Sequence, residues 1–373
     1  MRTGPLNNEQ KLFLSLVCVM IGLGVVMVHS ASITSWPSDF DRVYLSRHVI
    51  FLCLGAVAAA ICANLPARVW YRYAPHLFVL TLLLLVVVLI PGVGTRVNGA
   101  QRWLRFGSIS VQPSELAKLA LPLLMARLLV RRRDRIRHWL WGTLPLVWPV
   151  LCVVPLVAEQ PDLGTAVFLT CLGAITLFLG GWPLRNFVAS GAAVVPAAVT
   201  LFALKPYQLE RITGFVAAWR DFQKAPYQIK QSLLTLGAGG LTGVGLGRGW
   251  QKLSFLPEAN TDFVFAVVGE ELGLVGTLSL IGLWTVLYLT GLRLLRRLPR
   301  DSFAYIACAA LLTQLVLQAA LNVAVVTAVV PPKGIPHPLV SYGGSSLAVS
   351  LTAIGIMVSL TRARPGRDDV ALR

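Results

Sequence analysis

Asp262 stands immediately before a long apolar stretch that opens at Phe263, a position from which a carboxylate could take a proton from a bound hydroxyl. It also suits an aspartate that merely caps a helix. Glu258, Glu270 and Glu271 flank it, and acidic groups gathered at one end of an apolar helix are costly without partners. A second set lies in NGAQRWLRFGSISVQPSELAK, Asn98 to Lys118. Pro113 favours a first helical turn, which puts Glu115 and Lys118 on one helical face. The pair serves either a function, the default for ionisable groups at membrane depth, or simply mutual neutralisation. The turn AEQPDLGTA, Ala158 to Ala166, carries Glu159 and Asp162, either as functional groups or as solvated turn residues. The last set is PPKGIPHPLVSYGGSS, Pro331 to Ser346. There Ser341, Gly343, Gly344, Ser345 and Ser346 can present hydroxyl and amide donors at a helix start, and Lys333 adds a positive charge. Such groups suit phosphate or sugar oxygens.

The elements that must hold these groups are membrane helices. Of 373 residues 56% are hydrophobic and 13% charged, with a mean hydropathy of +0.71, and one apolar stretch long enough to span a bilayer follows another. The stretches are Leu12–Ser30, His48–Leu65, Pro75–Pro91, Ser114–Val130, Trp139–Val157, Leu163–Trp182, Phe187–Leu204, Phe263–Thr290, Phe303–Val330 and Ser345–Leu360. The expected fold is therefore all-α, a polytopic membrane protein of about ten helices forming one domain over residues 1–373. The first stretch reads as a retained helix rather than a cleaved signal. The 33 basic residues exceed the 16 acidic by 17. In a soluble chain this excess would suggest nucleic acid; here it concentrates in the runs Arg127–Arg137 and Arg293–Arg300 and in the tail residues Arg362, Arg364 and Arg367. That pattern predicts cytoplasmic loops, both termini inside, and no nucleic-acid partner. The long connection after the seventh helix, residues 205–262, then faces outward with its aromatic residues and its glycine run from Gly237 to Gly249. Cys18, Cys53, Cys62, Cys152, Cys171 and Cys308 lie inside apolar stretches and read as small core residues, without disulfides or a zinc site. No internal repeat of the kind found in secondary transporters is visible.

Taken together, the four segments resemble the motif set of the SEDS family of peptidoglycan glycosyltransferases. The RW…QPSE..K pattern falls on Arg102, Trp103, Gln112, Pro113, Ser114, Glu115 and Lys118, the PDLGTA turn on Pro161 to Ala166, and the essential aspartate on Asp262. Asn260 replaces the histidine usual in that family, and His337 stands where leucine is common. The Asn98–Gly99 and Lys333–Gly334 pairs look more like the FtsW branch than the RodA branch. The resemblance implies ten helices, a large outer loop after the seventh, and polymerisation of lipid II in the bacterial inner membrane during cell division or cell-shape control. It implies Asp262 as catalytic base. Arg102, Trp103, Gln112, Ser114, Glu115, Lys118, Glu258, Lys333, Ser341, Gly343, Gly344 and Ser345 are the expected substrate-binding residues. A divalent cation, Mg or Mn, is the one cofactor it leaves open. The implied partners are lipid II, a class B penicillin-binding protein and other division or elongation proteins, all within the lipid bilayer. The competing functions are a lipid II flippase, which should line a path through the membrane with polar groups, and a non-catalytic division scaffold.

Overall fold

The computed structural model describes residues 6–32, 39–97, 99–107, 109–192, 213–217, 219–253 and 255–362. Helix α1 (Asn8–Ser32) starts with a reciprocal cap: Gln10 N–H donates to Asn7 Oδ1 (2.8 Å) and Asn7 N–H to Gln10 Oε1 (3.0 Å). Next come α2 (Asp39–Asn64) and α3 (Ala67–Leu89). Helix α3 begins earlier than the expected Pro75, which sits inside it. The turn around Trp70, Tyr71 and Tyr73 is thus already helical, with amphipathic aromatic side chains of the kind that suit a membrane interface. A small antiparallel sheet follows, β1 (Thr95–Val97), β2 (Ala100–Phe106) and β3 (Ile109–Val111), in the order β1-β2-β3. It is the one departure from an all-α architecture among the described residues.

Helices α4 (Pro113–Arg131), α5 (Trp139–Glu159) and α6 (Leu163–Leu179) come next, then α7 (residues 184–192) and the short α8 (residues 213–217). The segment expected to form the seventh span, Phe187–Leu204, is helical to residue 192, and its remainder lies outside the described residues. So do Asn98, Arg364, Arg367 and the first residues of the long loop. That loop contains α9 (Tyr227–Ala238) and leads into α10 (Val264–Leu295), α11 (Phe303–Val326) and α12 (Ser345–Thr361). Among the described residues six helices are long and apolar enough to cross a membrane (α1, α2, α3, α5, α10 and α11), and α6 and α12 are shorter apolar helices. The chain is thus a multi-pass membrane protein.

Helix α4 is central. It packs against α3, α5, α6, α11 and α12, and from Pro113 to Ala126 it is buried apart from Leu116. Helix α12 lies along α2, and α1 along α10. Cys62 and Cys308 are buried, whereas Cys18, Cys53, Cys152 and Cys171 face outward, so the expectation of six core cysteines holds for two. An apolar outer face is stable against lipid, and a thiol is apolar enough to share it.

Two features set the bundle's ends. At one end the basic connections converge: Arg133 pairs with Asp301 (2.5 Å), Arg297 with Glu9 (3.1 Å), and Gln10 Nε2 donates to Thr361 Oγ1 (3.0 Å). The first and last described helices therefore terminate on the side of the arginine-rich loops. At the other end α10 breaks at Gly273, whose φ of 67° and ψ of −162° favour glycine. The glycine-rich stretch after α9 fills the break. Val244 and Gly245 N–H donate to the Glu270 and Glu271 carbonyls (both 3.0 Å), while Leu274 and Val275 N–H donate to the Gly240 and Leu241 carbonyls (3.0 and 3.1 Å). Backbone groups freed by the kink are satisfied within the protein, the condition for non-helical backbone near a membrane.

Candidate active site

All four motif segments meet at the end opposite the basic connections. Asp262 lies one residue before the N-cap position of α10, Phe263, and its side chain makes no cap. The capping alternative therefore fails for Asp262. It fits Asp162, whose carboxylate accepts from Thr165 N (3.2 Å) and Thr165 Oγ1 (2.9 Å) at the start of α6. The half-buried Asp262 carboxylate has no hydrogen bond or ion pair among the described residues. Burial pushes its pKa up to about 7, helped by the negative charges of Glu258 and Asp162 and opposed by Arg102. Gly334 leaves room for it: a Cβ there would come within 3.0 Å of Asp262 Oδ2.

Asp262 is held by its backbone. Asn322 Nδ2 donates to the Asp262 carbonyl (2.7 Å), Ser341 Oγ to the Thr261 carbonyl (2.5 Å), and Tyr342 N–H to the Asn260 carbonyl (2.8 Å). Ser341 is thus a buried structural link rather than an open donor. Glu258 is exposed, with a positive φ of 56°, and accepts from Thr261 Oγ1 (2.9 Å).

Arg102 on β2 reaches the α5–α6 turn. Its Nε donates to the Gln160 carbonyl (3.1 Å), its Nη2 to the Pro161 carbonyl (2.5 Å), and its guanidinium lies 3.8 Å from Asp162. Strand alternation turns its neighbour Trp103, half-buried and paired in register with Thr95, to the other face of β2. Gln112, just before α4, donates through Nε2 to Asp162 Oδ2 (3.3 Å) and through its N–H to Ser345 Oγ (3.4 Å), joining three of the four segments. Glu159 is exposed. Lys333 is half-buried with its stem along Gly164. Burial pushes its ammonium pKa down, against the pull of Cys171 and Asp162. Gly344 introduces α12 with a φ of 40° beside Phe51, and Gly343 carbonyl accepts from Ser346 N–H (2.6 Å).

Glu115 and Lys118 lie beneath this mouth and are sealed from solvent at 4% and 3% exposure. Lys118 Nζ donates to Glu115 Oε1 (2.7 Å) and to Gln318 Oε1 (3.1 Å), and sits 5.3 Å over the Phe168 ring. Gln318 passes the contact on to the Pro336 carbonyl (3.0 Å) and to Ser346 Oγ (3.5 Å). Ser114 Oγ, alongside, is buried without a partner among the described residues. The pair therefore neutralises itself and also braces the Pro331–Ser346 segment from below.

Glu270 and Glu271 do not join Asp262. Glu271 pairs with Lys252 (2.5 Å), both fully buried, and accepts from Ser30 Oγ (2.6 Å), while Glu270 accepts from the Trp250 and Gln251 N–H groups (2.7 and 3.0 Å). They fasten the long loop to α1 and α10. Among the described residues no three His, Cys, Asp or Glu side chains converge to hold a metal ion. The carboxylates here thus do not fit a preformed cation cage, and the roles proposed below do not depend on one.

Sequence reasoning missed Gln318, Asn322, Trp284 and Phe168. A signal existed for two of them: Gln314, Gln318 and Asn322 recur every four residues on the otherwise apolar α11, a polar stripe that membrane helices do not carry without cause.

The family model described as cell cycle protein, covering FtsW, RodA and SpoVE, matches residues 10–365. A probable peptidoglycan glycosyltransferase FtsW from Trichlorobacter lovleyi is 39% identical over 350 residues, 93% of this chain and 92% of that protein. Stage V sporulation protein E of Bacillus subtilis is 34% identical over 358 residues, 95% of this chain and 98% of that protein. Among solved structures, one described as structural coordination of polymerization and crosslinking by a peptidoglycan synthase complex matches with a TM-score of 0.78 at 31% identity, over 95% of this chain and 98% of that one. The rod shape determining protein RodA of Thermus thermophilus matches with a TM-score of 0.69 at 31% identity, over 94% of this chain and 95% of that one.

Proposed function

The chain belongs to the cell cycle protein family of FtsW, RodA and SpoVE, and from that premise we infer that it is a peptidoglycan glycosyltransferase that polymerises lipid II. The observation that carries the inference is Asp262: a carboxylate with no hydrogen-bond or ion-pair partner among the described residues, held by its backbone at the mouth of the bundle, with its pKa raised to about 7. A base poised near the working pH is the optimum for removing a proton from an alcohol. The acceptor 4-hydroxyl of N-acetylglucosamine would lose its proton to Asp262 and attack the anomeric carbon of the growing glycan. The bond to undecaprenyl pyrophosphate breaks as the β-1,4 bond forms, with inversion. Negative charge then gathers on the leaving pyrophosphate, and Lys333 and Arg102, both close enough to Asp162 to feel its charge, are the cations placed to attract it. Lys118, sealed below with Glu115, would act by holding the Pro331–Ser346 wall rather than by touching the phosphates.

The arginine-rich connections lie at the opposite end from Asp262, which supports a cytoplasmic location for them and an outward-facing site. Both ends of the chain would then be cytoplasmic, and the membrane would be the bacterial inner membrane. The related synthase complex couples polymerisation to crosslinking, which supports a class B penicillin-binding protein as partner. The convergence of all four motif segments on one mouth, around a carboxylate, favours an enzyme over a flippase. Purified protein incubated with labelled lipid II, alone and with the candidate transpeptidase, tests this: glycan polymer is expected, and its absence from both reactions would overturn the assignment.

A further inference from the structure

His337 lies at the closed end of a hydrogen-bond chain that leaves none of its members a choice. The Asp262 and Ile335 carbonyls can only accept, so the Asn322 amide must turn its NH2 to them (2.7 and 2.9 Å) and its Oδ1 to His337. His337 Nδ1, 3.0 Å from that oxygen, must therefore carry the proton. Its Nε2 is then an acceptor, and it faces the indole N–H of Trp284 at 2.8 Å, a group that can only donate. The imidazole is buried, with Phe265 stacked against it at 6.2 Å, and burial pushes its pKa down to about 3, so it stays neutral. Its own backbone N–H donates to Ser341 Oγ, which donates in turn to the Thr261 carbonyl. Both routes out of His337 end on the backbone of residues 261 and 262.

We propose that His337, fixed as its Nδ1–H tautomer between Trp284 and Asn322, is a positioning residue that sets where Asp262 presents its carboxylate. An apolar side chain could fill the same space but would leave the buried Asn322 Oδ1 without its donor, so that the Asn322 side chain, and the Asp262 carbonyl it holds, would lose an anchor and shift. The proposal rests on Asp262 being the base of the polymerase.

Kinetics with lipid II test it in the full chain, with any required transpeptidase present. His337→Leu should lower kcat about 10-fold while KM stays within about twofold, because a displaced base affects the reacting geometry and not substrate capture. His337→Gln, whose amide can donate to Asn322 and accept from Trp284, should recover most of that loss. Trp284→Phe removes the indole donor together with part of the ring and should lower kcat several-fold, which keeps the test intact if His337→Leu fails to fold. Wild-type kcat in a folded His337→Leu or Trp284→Phe protein, or a loss that His337→Gln does not recover, would overturn the proposal. An active Asp262→Asn protein would instead sink the assignment of the base.

Discussion

Replacing Asp262 with asparagine separates its chemical role from its structural one, because the two predict opposite changes. The carboxyl pKa rises from 3.8 to about 7, so the folded state prefers the neutral form. Three units correspond to roughly 4 kcal/mol. Because the carboxyl is half-buried and partly screened by water, about 1–2 kcal/mol of that should appear as stability. The sign follows from the raised value: the neutral carboxyl's contribution is fully present below about pH 4 and lost as pH rises through about 7. At pH 8, where wild type is ionised beside Glu258 and Asp162, Asp262→Asn should unfold at a higher temperature. Its polymerisation rate should nevertheless fall on the order of 100-fold or more, since the proton has no acceptor. In wild type, kcat/KM should rise with pH and level off near pH 8, standing at roughly a tenth of the plateau at pH 6. The residual rate of the variant should lack that rise. Initial rates with labelled lipid II between pH 5.5 and 8.5, alongside melting curves in detergent, give both readouts. A wild-type profile flat across that range, or a variant that is less stable yet active, would refute the assignment.

Lys118→Met should strip activity and cost about 3–5 kcal/mol by leaving Glu115 buried and unpaired, and adding Glu115→Gln should restore much of the stability, as melting curves would register. Gly334→Ala should lower kcat several-fold by crowding Asp262 Oδ2, without lowering the melting temperature, because residue 334 is exposed. Lys252→Met should loosen the long loop from α1 and α10, seen as faster proteolysis between residues 239 and 253, and native-like resistance would show that the buried Lys252–Glu271 pair is dispensable. A class B penicillin-binding protein should co-purify with the chain from membranes and raise its polymerase rate; an unchanged rate with a bound partner would remove activation from the account.

How far the sequence carried depends on which physical signal each residue leaves. Apolar runs such as Phe303–Val330 predict helices well, since only length and hydropathy are needed, and α11 covers Phe303–Val326. The strands around Arg102 are not legible, because strands of three, seven and three residues carry too short an alternation to read against flanking helices. Pro113 at the first turn of α4 and Asp162 at the cap of α6 act locally, and their neighbours in sequence suffice to place them. Glu270 and Glu271 misled the sequence argument for the opposite reason. They lie within nine residues of Asp262, but the partners that remove them from its site, the Trp250 and Gln251 N–H groups for Glu270 and Lys252 and Ser30 for Glu271, come from the long loop and from α1.

His337 shows the same limit at the level of one residue. In the sequence it is a lone histidine where an apolar side chain is common, and nothing nearby states its purpose. Only the packing of α10 against α11 brings Trp284 and Asn322 to its two nitrogens. The residues that could hold Asp262 in place are therefore spread over α10, α11 and the Pro331–Ser346 segment, whereas those that could contact a phosphate cluster in the motifs themselves. A polymerase that must release pyrophosphate and slide its product needs a mouth that substrates can enter. Placing the fixed hydrogen bonds behind the base, on buried groups such as Asn322 and Ser341, leaves the Asp262 carboxylate itself open to the substrate it is proposed to deprotonate.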